Sequence, residues 1–161
     1  MNFLDKILQE KVCEVKKLPV EKLQEFKPRA SFYETVQSRP DRMQVIGEIK
    51  RASPSKGDIQ PTIDILKQAI NYEKAGVRAI SVLTDEVFFK GSIDDLRAVS
   101  QVVDVPILCK DFIISKKQLI RARNAGASIV LLIVAALSRE QLFELFQEAK
   151  TLGLEVLVET H

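Results

Sequence analysis

The stretch RNAGASIVLLI, residues 123–133, decides the fold because a glycine separates a polar, helix-like segment from an unbroken apolar run. The same arrangement occurs in EKAGVRAISVL, residues 73–83, and in TLGLEVLVE, residues 151–159. Glycine adopts the left-handed backbone conformation that ends many helices, and here it stands shortly before each apolar run. Three such junctions in one register predict helices that alternate with strands.

Short apolar runs recur along the chain on both sides of these junctions. The predicted strands are residues 44–49, 79–83, 106–109, 129–134 and 155–158. The segments between them carry apolar residues at steps of three and four, which is the spacing of one helix face. Strands that alternate with helices form a parallel sheet, and strands that are apolar throughout are typical of a sheet covered on both faces.

Two architectures fit this alternation, an open doubly wound sheet and a closed barrel. A nucleotide-binding open sheet requires a glycine-rich phosphate loop after its first strand, but KRASPSKGD, residues 50–58, contains no GxGxxG. Charged residues instead follow the carboxyl ends of several strands, where barrel enzymes place their chemistry. The sequence therefore favours an α/β fold of the (β/α)8 TIM-barrel type, here a partial barrel whose strands one to five occupy residues 43–161.

Residues 1–42 differ from the rest and are predicted to form an N-terminal helical extension that ends near Pro40. Apolar residues from Phe3 to Val15 recur at helical spacing, with lysine and glutamate between them. Ser31 followed by Glu34 resembles a capping box, which predicts the start of a second, short helix.

Charge and composition exclude several classes of function. The 24 Lys and Arg residues nearly balance the 22 Asp and Glu residues, and no block of like charge predicts a nucleic-acid or membrane partner. The longest apolar run, residues 125–137, is shorter than the ~18 residues of a membrane-span candidate. Two widely separated cysteines and an N-terminus unlike a secretory leader predict a cytoplasmic protein. A single histidine and the lack of a CxxC motif predict no metal site.

Charged residues at the ends of three predicted strands form the candidate catalytic site. Glu48 and Lys50 are two residues apart in VIGEIK, so a strand directs both side chains to one face. Lys110 ends the strand in PILCKDF and Glu159 ends the strand in LEVLVETH, each on the face expected to line the barrel interior. Two acids and two lysines at this position suit proton transfer on a bound substrate. A structural ion-pair network is the alternative that the residues leave open.

Residues next to these charges extend the prediction. Asp111 has the parity of the helix-facing side, so it is expected to act as a cap or to form a salt bridge there. Ser53 lies in the loop RASPSKGD, which suits either a ligand cover with hydroxyl donors or a plain connection. Phe89 and Phe112 follow the second and third strands, where an aromatic ring either stacks on a flat substrate or plugs the barrel top.

Four segments, in order and in register, resemble the indole-3-glycerol phosphate synthase family. They are VIGEIKRASPSKGDI (45–59), AISVLTDEVFFKGSIDDL (79–96), PILCKDFIISKKQLIRARNAGASIVLLIVAAL (106–137) and LGLEVLVETH (152–161). EIKRASPSKG and LCKDF are the most specific motifs. The resemblance implies a TIM barrel and a carboxy-lyase of tryptophan biosynthesis. That enzyme converts 1-(2-carboxyphenylamino)-1-deoxyribulose 5-phosphate into indole-3-glycerol phosphate by ring closure and loss of carbon dioxide and water, with no organic cofactor and no metal.

The resemblance also implies roles for individual residues. Lys110 resembles the general acid that protonates the substrate carbonyl during ring closure, and Glu159 resembles the acid–base group of the later proton transfers. Lys50 resembles the lysine that holds the substrate carboxylate and assists dehydration, and Glu48 resembles the carboxylate that orients these lysines. The residues expected to contact the substrate are Ser53, Phe89 and Phe112.

The later motifs of the family, an asparagine on strand six, ESG on strand seven and GTS on strand eight, do not occur in this sequence. A complete barrel of this type has about 250 residues, and loops after strands seven and eight commonly bind its phosphate. We therefore expect impaired activity toward the phosphorylated substrate, and edge strands that pair with another copy or with a complementing barrel fragment. Two other interpretations are a non-catalytic half-barrel assembly module and a different phosphate-sugar barrel enzyme, such as an isomerase of the same pathway.

Overall fold

The computed structural model describes residues 1–60 and 62–161. Its helices are α1 (Phe3–Lys17), α2 (Phe32–Gln37), α3 (Ile65–Lys74), α4 (Ile93–Val102), α5 (Lys116–Ala125) and α6 (Arg139–Thr151), with a turn of 3₁₀ helix at Val134–Ala136. Its strands are β1 (Ile46–Ile49), β2 (Ala52–Ser53), β3 (Gly57–Asp58), β4 (Ala79–Leu83), β5 (Ile107–Lys110), β6 (Ile129–Ile133) and β7 (Glu155–Glu159). Each α-helix begins after a residue whose side chain accepts a hydrogen bond from the first turn. These capping residues are Asn2, Ser31, Asp64, Ser92, Ser115 and Ser138.

The order of the strands distinguishes the two architectures considered above. Strands β1, β4, β5, β6 and β7 form one parallel sheet in that order, and β2 pairs with β3 in a short antiparallel hairpin. Each parallel strand lies beside the one that precedes it, with a helix between them along the chain. A doubly wound sheet reverses its strand order at a switch point, whereas a barrel adds its strands in sequence. The predicted α/β fold, a partial barrel of the (β/α)8 type, is confirmed over the described residues.

The sheet packs apolar side chains on both faces. On one face, Ile80, Ile107 and Val130 pack with buried residues of the helices in the larger core. Alternate strand positions form a second buried cluster on the other face, made of Ala79, Leu108, Ile129, Leu131 and Ile133. Strands β4 and β6 are buried at every position, as their continuous apolar sequences predict. The second cluster lines the concave, interior side of the partial barrel.

The three predicted junction glycines have the expected backbone. Gly76, Gly126 and Gly153 have φ angles of 91°, 111° and 77°, and each follows or caps a helix end. Gly126 has a second constraint, because a Cβ there would lie 2.4 Å from the Cβ of Ser100. Helix α5 therefore ends against α4 at a position where a side chain has no room.

The strands differ slightly from their predicted bounds. β1 begins at Ile46 rather than at residue 44, and the Gln44 side chain contacts both the backbone oxygen of Arg42 and the Arg78 side chain. β5 covers Ile107–Lys110 rather than 106–109, because Pro106 has no N–H to donate. The loop after β1, for which the sequence predicted no strand, contains the β2–β3 hairpin.

The segment between α1 and α2 has no regular structure but is fixed to the barrel. The Arg29 guanidinium donates to the backbone oxygens of Ser100, Val103 and Val105, next to the start of β5. The predicted capping box at α2 is only half correct. Ser31 Oγ accepts from the backbone N–H of Glu34, but the carboxylate of Glu155 receives the Ser31 hydroxyl and the first backbone N–H groups of the helix. The proposed boundary at residue 42 stays a prediction.

Candidate active site

Three of the predicted catalytic side chains form one ion cluster at the carboxyl ends of the strands. The Glu48 carboxylate accepts from Lys50 Nζ at 2.8 Å through one oxygen and from Lys110 Nζ at 2.7 Å through the other. The hydroxyl of Ser81 lies 3.4 Å from the oxygen that binds Lys110. A single carboxylate therefore holds two ammonium groups in a fixed arrangement.

Strand register explains why these groups meet. Glu48 is the Cα partner of Ser81 on β4, and Lys110 on β5 is the partner of Leu83, two residues further along β4. All these positions share the interior face, because alternate residues of a strand point the same way. The long lysine side chain spans the remaining distance back to Glu48. The two-residue spacing in the sequence was therefore sufficient to predict the shared face, whereas the contact between Glu48 and Lys110 depends on the register of strands that are distant in the chain.

The cluster is half-buried, which leaves it open to a ligand. The side chains of Glu48, Lys50 and Lys110 are 29%, 28% and 34% exposed. Burial alone raises the pKa of Glu48, but hydrogen bonds from Lys110 and Lys50 and the charges of both lysines outweigh it, so the pKa lies below its usual value. Glu48 is thus a carboxylate at neutral pH. With two cations to one anion, the cluster has positive charge to spare for an anionic substrate.

Lys110 opens into a cavity with aromatic walls. This cavity has a volume of about 180 Å³. It is lined by Leu83, Phe89, Lys110, Asp111, Phe112, Leu131, Ile133 and Glu159. The ring centroids of Phe89 and Phe112 are 6.0 Å apart, with an angle of 36° between the ring planes. The predicted general acid therefore faces an apolar space suited to a flat ring.

Lys50 opens into a second cavity, on the other side of Phe89. Its volume is about 390 Å³. Helix α1 supplies Phe3 and Ile7 to its wall, and the loop after β1 supplies the side that includes Ser53. The hydroxyls of Ser53 and Ser55 are 3.5 Å apart and border this space. The two lysines thus face different cavities, while Glu48 holds both of them.

Glu159 stands apart from the ion cluster. It lines the same cavity as Lys110, yet within residues 1–60 and 62–161 it forms no ion pair with Lys50 or Lys110. Its carboxylate is instead 2.9 Å from Nε2 of His161. The sequence correctly predicted that Glu159 faces the interior at the barrel top, but did not predict this contact with the histidine.

A second ion cluster, absent from the sequence prediction, lies behind the site. Lys11 of α1 places its Nζ 2.8 Å from Asp85 and 2.9 Å from Asp111, and its side chain is 1% exposed. Of the two roles expected for Asp111, a cap or a salt bridge, the structure shows the salt bridge, and Asp111 also lines the cavity into which Lys110 opens. Lys11 had a signal in the sequence, because it lies four residues from both Ile7 and Val15 on the apolar stripe of α1. Nothing in the sequence, however, names its partners.

The part of the chain that the structure describes contains no group of three or more His, Cys, Asp or Glu residues arranged to hold a metal ion. In the same residues, no helix has both the length and the apolar composition needed to cross a bilayer.

Comparison with known proteins decides the family. The model of the indole-3-glycerol phosphate synthase family matches residues 4–161. The chain belongs to the indole-3-glycerol phosphate synthase family. It is 57% identical over 161 residues to the indole-3-glycerol phosphate synthase of Listeria welshimeri and 55% identical over 160 residues to that of Streptococcus pneumoniae. These alignments cover 100% and 99% of the chain, but only 64% and 63% of the two relatives.

Solved structures outside the indole-3-glycerol phosphate synthase family support the fold alone. Methylornithine synthase matches 98% of the chain and 58% of its own length, with a TM-score of 0.54 and 13% identity. A mandelate racemase/muconate lactonizing protein from Paracoccus denitrificans matches 99% of the chain and 44% of its own length, with a TM-score of 0.51 and 12% identity.

Proposed function

We propose that this chain supplies the acid–base residues of indole-3-glycerol phosphate synthase activity, a carboxy-lyase step of tryptophan biosynthesis in the cytoplasm. The observation that carries this proposal is the Glu48 carboxylate held between Lys50 and Lys110, beside two aromatic rings, in a chain of this family. The proposed substrate is 1-(2-carboxyphenylamino)-1-deoxyribulose 5-phosphate. Its phenyl ring suits the cavity that Phe89 and Phe112 line, and its carboxylate suits the excess positive charge.

The proposed reaction assigns one proton-transfer task to each group. As the ring carbon that bears the carboxylate bonds to the ketone carbon, Lys110 donates a proton to the ketone oxygen. The carboxylate then leaves as carbon dioxide, and its bonding electrons restore the aromatic ring. Lys50 holds the carboxylate and assists departure of the hydroxyl as water, while Glu48 orients both lysines. Glu159 moves the proton lost when the indole double bond forms, and Ser53 contacts the ligand.

The proposed partners are the phosphorylated substrate described above and a second polypeptide at the open edges of the sheet. In the described residues, the outer edges of β1 and β7 pair with no other strand, and Ile46 and Val158 on them are 38% and 49% exposed. Unpaired edges readily accept another strand. We propose that the isolated 161-residue chain pairs through these edges with a second copy or with a complementing barrel fragment. Analytical ultracentrifugation tests this, and a protease-resistant monomer at micromolar concentration would contradict it.

The experiment that tests the activity is turnover of the proposed substrate, followed by the fluorescence of the indole product. The chain contains no tryptophan, so the product's indole is observed against little background. Lys110→Met should lower kcat by about 10²- to 10⁴-fold, the usual contribution of a general acid. Lys116→Met, an exposed lysine on α5, is the matched control. If the chain is folded but forms no product, it is better described as a non-catalytic half-barrel module.

A further inference from the structure

The ammonium group of Lys11 is completely enclosed by carboxylates. Its Nζ lies 2.7 Å from Glu14, 2.8 Å from Asp85 and 2.9 Å from Asp111. A lysine has three N–H donors, so each donor has one acidic partner. Burial by itself lowers the pKa of Lys11, but the charge of Asp111 and the hydrogen bonds to Asp85, Glu14 and Asp111 raise it above its usual value. Lys11 is therefore a permanent cation inside the protein.

Two of these carboxylates also organise the aromatic walls of the active site. Asp85 accepts from the backbone N–H of Phe88 at 2.7 Å, in the loop that continues to Phe89. Asp111 accepts from the backbone N–H of Phe112 at 2.7 Å, immediately after Lys110. The hydroxyl of Thr84 donates to the other oxygen of Asp111 at 2.7 Å and joins the two loops.

Helix α1 contacts the site from the same direction. The Phe3 ring packs edge-on against Phe88, with centroids 5.6 Å apart and an interplanar angle of 82°. Phe3 and Ile7 also line the cavity into which Lys50 opens. Lys11 thus links helix α1, which lines the cavity at Lys50, to the two loops that carry Phe89 and Phe112, which line the cavity at Lys110.

We propose that Lys11 is a positioning residue for the reaction proposed above. Through Asp85 and Asp111 it sets the separation of the loops after β4 and β5, and so the spacing of the rings of Phe89 and Phe112. The same contact with Asp111 restrains the backbone next to Lys110. An apolar residue would fill the space without fixing these two loops relative to each other, because only a charge with directed donors holds both carboxylates.

The test separates positioning from simple stabilisation. The variants are Lys11→Met and, as the matched control, Lys6→Met, which changes an exposed lysine of the same helix. Because Lys11→Met leaves acids unpaired and its folding is at risk, Asp85→Asn is the second variant. It removes one charged partner of Lys11, while the amide oxygen can still accept from the backbone N–H of Phe88. Circular dichroism and urea titration give the folded fraction. The two readouts, each corrected for that fraction, are the kcat and KM of the proposed substrate and the Kd of 2-aminobenzoate, measured by its own fluorescence.

Positioning predicts that Lys11→Met weakens 2-aminobenzoate binding at least about tenfold and lowers kcat, while Lys6→Met matches the parent chain. Asp85→Asn should show a smaller change in the same direction. If folded Lys11→Met, or Asp85→Asn when Lys11→Met does not fold, keeps the parental Kd, kcat and KM, Lys11 only stabilises the fold and the proposal is overturned. If the parent and Lys6→Met neither bind 2-aminobenzoate nor turn over substrate, the proposed function fails as well. That result differs from one in which the parent and every variant bind and turn over substrate equally, which overturns only the proposal for Lys11.

Discussion

The two ion clusters beside the barrel top contain the same kinds of group but differ in charge balance and exposure. The cluster of Glu48, Lys50 and Lys110 has two cations for one anion, and each side chain is about a third exposed. The cluster around Lys11 has three carboxylates for two cations, the ammonium of Lys11 and the guanidinium of Arg121, which lies 3.5 Å from Glu14. Lys11 and its two aspartates are almost completely buried. The first cluster can exchange a partner for a ligand. The second, which we call the closed cluster, is less able to do so, because Lys11, Asp85 and Asp111 have almost no access to water, and only its third acid, Glu14, is 28% exposed.

Replacing one lysine in each cluster should reveal the largest difference between them, which is a difference in the free energy of unfolding. Breaking a buried ion pair leaves uncompensated charge, so Lys11→Met should lower the free energy of unfolding by about 3–5 kcal/mol. Lys110→Met removes a partly exposed pair and should change it by about 1 kcal/mol or less. Urea denaturation measures both changes, with Lys6→Met as the control. Equal losses for the two variants would contradict the distinction between an open and a closed cluster.

Cysteine labelling should reveal a smaller effect of the closed cluster. Cys109 is fully buried, with its sulfur 3.4 Å from the Thr84 hydroxyl, and burial raises the pKa of its thiol to about 12. Because the thiolate is the reactive form, iodoacetamide should modify exposed Cys13 first and Cys109 orders of magnitude more slowly. Lys11→Met should accelerate labelling of Cys109 severalfold by loosening Asp111 and Thr84. Mass spectrometry of timed samples measures both sites. An unchanged rate at Cys109 would mean that the cluster does not restrain this region.

The two clusters should lose their contribution to stability at opposite ends of the pH scale. The pKa of Glu48 is lowered in the folded chain, so its contribution is present above the unfolded value of about 4.3 and is lost as pH falls through the folded value. The pKa of Lys11 is raised, so its contribution is present below about 10.4 and is lost as pH rises through the folded value. Urea midpoints across pH measure both limbs. Glu48→Gln should flatten only the acid limb; a matching change on the alkaline limb would argue against this assignment.

The sequence predicted the features that depend on local pattern. Glycine junctions placed the strands, and two-residue parity placed Glu48, Lys50 and Lys110 on the interior face. The sequence could not predict which distant groups meet. Lys11 lies on an apolar stripe, a visible anomaly, but its partners Asp85 and Asp111 depend on how α1 packs against the completed strands. The same limit explains why the sequence did not predict that Glu155, rather than Glu34, completes the cap of α2, since Glu155 is far from α2 in the chain.

The closed cluster also fixes an order of events during protein synthesis. Asp111 is translated about a hundred residues after Lys11, an interval on the order of 5–20 s at roughly 5–20 residues per second. Until then, the apolar stripe of α1 has a cation in its centre and no carboxylates from the barrel to neutralise it. Closing so long a loop also carries an entropic cost that shorter contacts do not have. Helix α1 therefore cannot reach its native burial until the third βα unit has been synthesised. During this interval its apolar stripe is exposed to other partners.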